Sequence, residues 1–171
     1  MRRLLVAFLL VTLAGCGGGG EKEPAVDAPP SIDVTSTAFR AGGAIPVKYT
    51  CSGDDTAPPL AWHGVPGEAK ALALLMDDPD AGGYTHWAVF NLPPTATRVE
   101  GGVEGENSFG DVGYGGPCPP EGDKAHRYVF SVYALREELD LEKGAKPDEV
   151  RDAIADQAIA RGRLIGTFKR G

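Results

Sequence analysis

Three short stretches hold most of the side chains that could do chemistry. Asp77-Asp78-Pro79-Asp80-Ala81 sets three carboxylates at the end of an apolar run. His86-Trp87 opens the next apolar run, and Gly113-Tyr114-Gly115-Gly116-Pro117-Cys118-Pro119-Pro120 leads into His126-Arg127-Tyr128. The chain has three histidines, and two of them open β-rich segments beside loops. Imidazole titrates near neutrality, and a carboxylate beside it favours the protonated, donating form. Asp78 would therefore hold a histidine cationic or fix its tautomer. Glycines at 113, 115 and 116 let backbone N–H groups approach a small ligand closely, as in anion-binding nests. The prolines stiffen that wall, and Tyr128 can donate a hydroxyl. Together these groups suit recognition of a small anion. Plainer roles stand beside this one: Asp78-Pro79 as a turn starter, His86 as a satisfied core histidine, and Asp78 as a clamp on His126 that ties two loops.

Other chemistries fit less well. Asp78, His86 and His126 could form a metal facial triad, but there is no His-x-x-x-His helix and no cysteine cluster. A hydrolase would need an activated nucleophile. No Gly-x-Ser-x-Gly occurs, and Cys118, the one candidate, is hemmed in by prolines. The expectation is a binding protein with no catalytic residue, no metal and no cofactor.

The elements that must position these residues are mostly strands. Ala71–Met76 is a continuous apolar run, and Trp87–Leu92 and Tyr128–Leu135 are two further, mainly apolar runs, which suits buried strands. Ile32, Val34, Ala38 and Phe39 mark a first strand, and Val47–Thr50 is β-rich. Gly and Pro clusters separate the runs. Pro147 with Asp148 and Glu149 starts the one convincing helix, whose apolar positions are Val150, Ala153, Ile154 and Ala158. Gly162 is expected to end it before a last strand over Leu164–Phe168.

The N-terminus carries an address. Arg2 and Arg3, the apolar run Leu4–Leu13 and small residues before Cys16 describe a signal peptide over 1–15. The run is too short for a permanent membrane span. Leu13-Ala14-Gly15-Cys16 resembles the bacterial lipoprotein cleavage box, which implies acylation of Cys16. Gly17, not aspartate, follows, so the outer membrane is expected where the host has one. Residues 16–30 then read as a flexible tether with little apolar to bury, and 31–171 as one domain. The mature chain holds 15 basic and 24 acidic residues, a formal charge of −9. That field does not favour nucleic acid or anionic lipid, so membrane contact falls to the acyl chains. Cys51 and Cys118 are the remaining thiols. An even pair in an exported protein invites a disulfide, while packing alone is the other reading.

Taken together, the motifs resemble the phosphatidylethanolamine-binding protein family, also called the Raf kinase inhibitor protein family, in its bacterial branch. The resemblance runs over about residues 33 to 170. It is carried by Tyr49-Thr50-Cys51, Pro58-Pro59-Leu60-Ala61-Trp62, Asp78-Pro79-Asp80-Ala81, His86-Trp87 and Asn107-Ser108-Phe109-Gly110. Gly113 to Pro120 with Gly122, His126-Arg127-Tyr128 and Leu164 to Arg170 complete it. It implies a mainly β fold, a β-sandwich with one C-terminal helix and short peripheral helical turns. It also implies a small anion pocket formed by Asp78, His86, Pro117, His126 and Tyr128, with Asp80 holding the loop. Phosphate, carboxylate or a phospholipid headgroup is the implied ligand; modulation of a protease or signalling partner is the alternative. The chain departs from the family in the short Gly82–Thr85 loop, and in Asp156-Gln157-Ala158-Ile159 where bacterial members often carry a helical histidine.

Overall fold

The computed structural model describes residues 26–171. The expected signal peptide, the expected acylation site Cys16 and the expected tether up to residue 25 lie outside the described residues. A two-stranded sheet pairs β1 (Asp33–Ser36) with β2 (Leu60–His63). A five-stranded sheet holds β3 (Ala71–Asp78), β4 (Tyr84–Leu92), β5 (Val103–Glu104), β6 (His126–Leu135) and β7 (Ala158–Phe168). Its order is β5-β4-β3-β6-β7, all antiparallel. The helix α1 spans Pro147–Gln157.

The continuous apolar runs become central strands because both faces of the large sheet are covered. Successive side chains point to opposite faces. Leu72, Leu74 and Met76 thus join Trp62, Phe130 and Val132 in one core under the small sheet. Ala71, Ala73 and Leu75 join Phe90, Tyr133 and Leu135 in a second core under α1, which contributes Val150 and Ile154. Each of those two helical side chains is fully buried, contributing about 1.5–3 kcal/mol. The helix starts as its sequence suggests: Pro147 occupies the first turn, and the Glu149 carboxylate accepts the Lys146 N–H at 2.8 Å.

Three local expectations fail. Val47–Tyr49 is a 3-10 turn, not a strand: Pro46 starts it, and its carbonyl accepts the Tyr49 N–H at 2.9 Å. Gly162 does not end the helix. The helix stops at Gln157 and β7 begins at once, with Gly162 in its middle. A Cβ at 162 would collide with the Ile32 carbonyl oxygen, so this glycine answers a close backbone approach. The end of the tether is also packed, not loose. Val26 and Ala28 are buried, the Pro29 carbonyl accepts the Arg161 N–H at 2.9 Å, and Pro30 bridges Arg161 in parallel. Two apolar side chains and an open edge of β7 suffice to bind a segment whose composition reads as linker.

Candidate functional site

At the end of β3 the backbone carries two consecutive aspartates to opposite faces. Asp78 closes the strand and caps the 3-10 turn Pro79–Ala81 that follows. Its Oδ1 accepts the N–H groups of Asp80 at 2.9 Å and Ala81 at 3.1 Å. Its Oδ2 meets His126 Nδ1 at 2.7 Å, with both side chains almost fully buried. Period-two geometry puts His126 and Tyr128 on the same face of β6. Asp80 holds the loop as the resemblance implied: Oδ2 accepts the Arg127 backbone N–H and Nε, each at 2.9 Å. Those bonds lower its carboxyl to about 2 despite partial burial.

A register shift aims His86. Met76 pairs with Trp87 and Asp77 with Thr85, so His86 is the residue without a partner across from it. Such a bulge redirects the side chain it frees. The ring turns to the loop Gly113–Pro120, where Nδ1 lies 2.8 Å from the Gly115 carbonyl and 3.1 Å from that of Gly116. Two carbonyl acceptors require Nδ1 to carry the proton, which leaves Nε2 as the unengaged nitrogen. Three rings surround His86: Tyr84 at 5.4 Å, Phe109 at 5.3 Å and Tyr128 at 5.2 Å between centroids.

The two histidines are pushed in opposite directions. Burial lowers the His86 pKa, and this outweighs the opposing glycine carbonyls and the charge of Asp78. Burial also opposes protonation of His126, but the hydrogen bond and charge of Asp78, reinforced by Asp123, raise its pKa. Near neutral pH the site therefore pairs a neutral imidazole with one that favours the cation.

A cavity of about 120 Å³ opens between them, lined by Asp78, Ala81, Tyr84, His86, Phe109 and the Cys118–Pro120 segment, with His126. At about 30 Å³ per water, it holds a few waters or one small ion, well under a drug-sized pocket. Two larger grooves, of about 410 and 310 Å³, lie around Val99 and carry no histidine.

Two residues of the implied set stand behind the cavity. Pro117 does not line it; the residue is buried and its carbonyl accepts the Cys51 N–H at 3.2 Å. Tyr128 is fully buried against the edge of His86. Its hydroxyl is turned toward Asp78 and the Cys118 backbone without a hydrogen bond of good geometry. Burial, with the charge of Asp78, keeps that phenol protonated. The expected glycine nest is not formed either. The Gly115 N–H donates to the His86 carbonyl at 2.8 Å, that of Gly116 to Asp55 Oδ1 at 2.8 Å, and that of Gly113 to the Gly105 carbonyl at 3.1 Å. These glycines serve close packing: a Cβ at 115 would sit 2.8 Å from the Phe109 ring.

The loop wall is fastened to residues 49–55. Cys51 and Cys118 are joined by a disulfide with 5.4 Å between Cα atoms, and the Tyr114 hydroxyl donates to the Tyr49 carbonyl at 2.6 Å. Sequence reasoning missed Tyr84 and Phe109 as lining residues. Tyr84 could have been found from its place two residues before His86. Phe109 gave a weaker signal, an aromatic in a polar Asn-Ser-Phe-Gly loop, which the Asn107 side chain holds through Oδ1 to the Phe109 N–H at 2.9 Å.

Comparison with known proteins points the same way. The phosphatidylethanolamine-binding protein family model matches residues 35–169. A UPF0098 protein of Methanothermobacter thermautotrophicus is 46% identical over 153 residues, 82% of this chain and 100% of the relative. A Mycobacterium tuberculosis protein that bears the name "Putative lipoprotein LppC" is 40% identical over 185 residues, 94% of this chain and 92% of that protein. Among solved structures, Escherichia coli YbcL is 31% identical with a TM-score of 0.78, and Chlamydia trachomatis CT736 is 38% identical with a TM-score of 0.76. Each covers 82% of this chain and 99% of its own. On the family match and these relatives, the chain belongs to the phosphatidylethanolamine-binding protein family.

Proposed function

We propose that this protein is a lipid-anchored, extracytoplasmic receptor for a small anion, a phosphate or carboxylate group borne by a soluble molecule or a headgroup. The observation that carries the reading is the small cavity between two histidines of opposite protonation tendency. His126, held toward the cation by Asp78, supplies positive charge. His86 keeps its Nδ1 proton on the glycine carbonyls, so an anion that meets Nε2 brings a second proton onto the ring. Binding is then coupled to proton uptake, and affinity falls as pH rises through the histidine range. The rings of Tyr84 and Phe109 make part of the wall apolar, which strengthens each charge-assisted bond beside them.

Anchoring through Cys16 follows from the cleavage box and is supported by the LppC relative. Among the described residues no helix is long and apolar enough to cross a membrane. Cys16→Ser should move the protein from the membrane fraction to the soluble exported fraction; unchanged mass and fractionation would remove the anchor from the proposal.

The pocket is tested on that released protein by calorimetry with acetate, inorganic phosphate and phosphoethanolamine. Acetate keeps one charge from about pH 8 to about pH 5.5, so its affinity should rise as pH falls, with proton uptake. His86→Ala should abolish the uptake and weaken binding by about 1–3 kcal/mol, the range for losing a charge-assisted bond. Binding that ignores pH, or that needs added zinc, overturns the reading.

A further inference from the structure

His126 meets a carboxylate at each ring nitrogen, and the two carboxylates are unlike. Asp78 is 3% exposed and is committed to two backbone N–H groups besides Nδ1. Asp123 is 47% exposed, on the turn whose Asp123 N–H donates to the Pro120 carbonyl at 3.2 Å. Its Oδ1 accepts the Lys124 N–H at 2.9 Å, while Oδ2 reaches His126 Nε2 at 3.4 Å. That last distance is longer than a good hydrogen bond, and the half-exposed carboxylate can exchange it for water. Yet Nε2–H is the donor of this imidazolium that remains for a ligand, because Nδ1 is spent on Asp78.

On the anion-receptor reading above, we propose that Asp123 is a built-in competitor: it holds the His126 Nε2 donor until an anion arrives, must then yield it, and selects singly over doubly charged ligands. The charges around the ring support this. Asp78 stands on the β3 side and Asp123 on the turn side, both negative. The nearby cations Arg127 and Lys124 lie against Asp80, at 2.9 and 3.5 Å. A dianion entering the cavity is repelled by Asp123 about twice as strongly as a monoanion. The ligand class favoured is a carboxylate or a phosphodiester over a phosphomonoester dianion.

Asp123→Asn tests this while keeping the acceptor for Lys124 N–H. The released protein and its variant are titrated with sulfate and with acetate at about pH 6, where His126 remains the better protonated histidine, and the imidazole signals are followed by NMR. The variant should bind sulfate about fivefold and acetate about twofold more tightly, as expected for removing one half-exposed like charge. The His126 pKa should fall in the same variant. Equal gains for the two anions would mean that the turn has relaxed without a charge effect, and unchanged or weaker binding would mean that Asp123 does not compete; either overturns the inference. If neither protein binds either anion, the receptor reading itself fails and this inference with it.

Discussion

Asp77 and Asp78 are neighbours in sequence, alike in chemistry and buried at the same strand end, yet they do different things. On the helix side, Asp77 takes the two amino groups of the Arg151 guanidinium at 2.8 and 3.2 Å and the Thr85 hydroxyl at 2.8 Å. Arg151 also donates to Thr85 at 2.9 Å, closing the set. The partner cation never titrates in the working range, so the pair locks α1 to the sheet at every physiological pH. On the other side, Asp78 takes a histidine, which does titrate, and a cavity adjoins the pair. A permanent partner makes a joint, whereas a titratable partner beside an open space has the chemistry that the proposed receptor needs to respond to a ligand or to pH.

Breaking the fastening on the pocket side should have the largest effect. Cys51 and Cys118 are separated by 67 residues, and a cross-link closing such a loop is worth about 4 kcal/mol by chain entropy. The Cys51→Ser, Cys118→Ser variant should lose stability of that order in urea titration. It should also lose anion affinity, because the released loop carries the carbonyls that orient His86. Thiol titration of the denatured, unreduced domain should find none.

Breaking the helix-side joint should cost nearly as much stability with the opposite functional result. Arg151→Met leaves Asp77 and Thr85 buried without their cation and should cost about 3 kcal/mol. Anion affinity measured well below the new midpoint should stay within about twofold. A large loss of affinity there would show that the two faces are coupled and would undo the contrast.

The smallest effect sharpens it. His126 has a raised folded pKa, so its contribution is fully present below the unfolded value near 6.5 and is lost as pH rises through the folded pKa. His86 has a lowered folded pKa, so it costs stability as pH falls below about 6.5 toward that folded value. Each effect amounts to about 1.4 kcal/mol for every tenfold difference in proton affinity between the folded and unfolded chain. His126→Gln should flatten the alkaline side of the stability–pH curve and His86→Gln the acid side. Arg151→Met should leave the shape of the alkaline side unchanged.

The sequence by itself determined the three central strands, the helix start and much of the family's inner layer. Leu72, Leu74 and Met76 against Ala71, Ala73 and Leu75 is a two-faced pattern that only a covered central strand satisfies, and Pro147 with Glu149 announces a helix start. Asp78, His86 and His126 were legible as a group because the motifs that hold them are unusual words in a recognisable order. What stayed hidden depended on contacts between distant residues. The bulge that turns His86 into the cavity is a register shift between β3 and β4, and no residue type in β4 marks it. The glycine N–H groups are consumed by His86, Asp55 and Gly105, partners 8 to 61 residues away, so their availability could not be read locally. Gly162 looked like a helix end until the Ile32 carbonyl lay against it, and Val26–Pro30 looked like linker until β7 offered an edge. Asp78 and His126 stand 48 residues apart. Local pattern fixes which face a side chain takes. Only the closed fold decides which partner it finds there, and with that partner whether a carboxylate is a joint or part of a site.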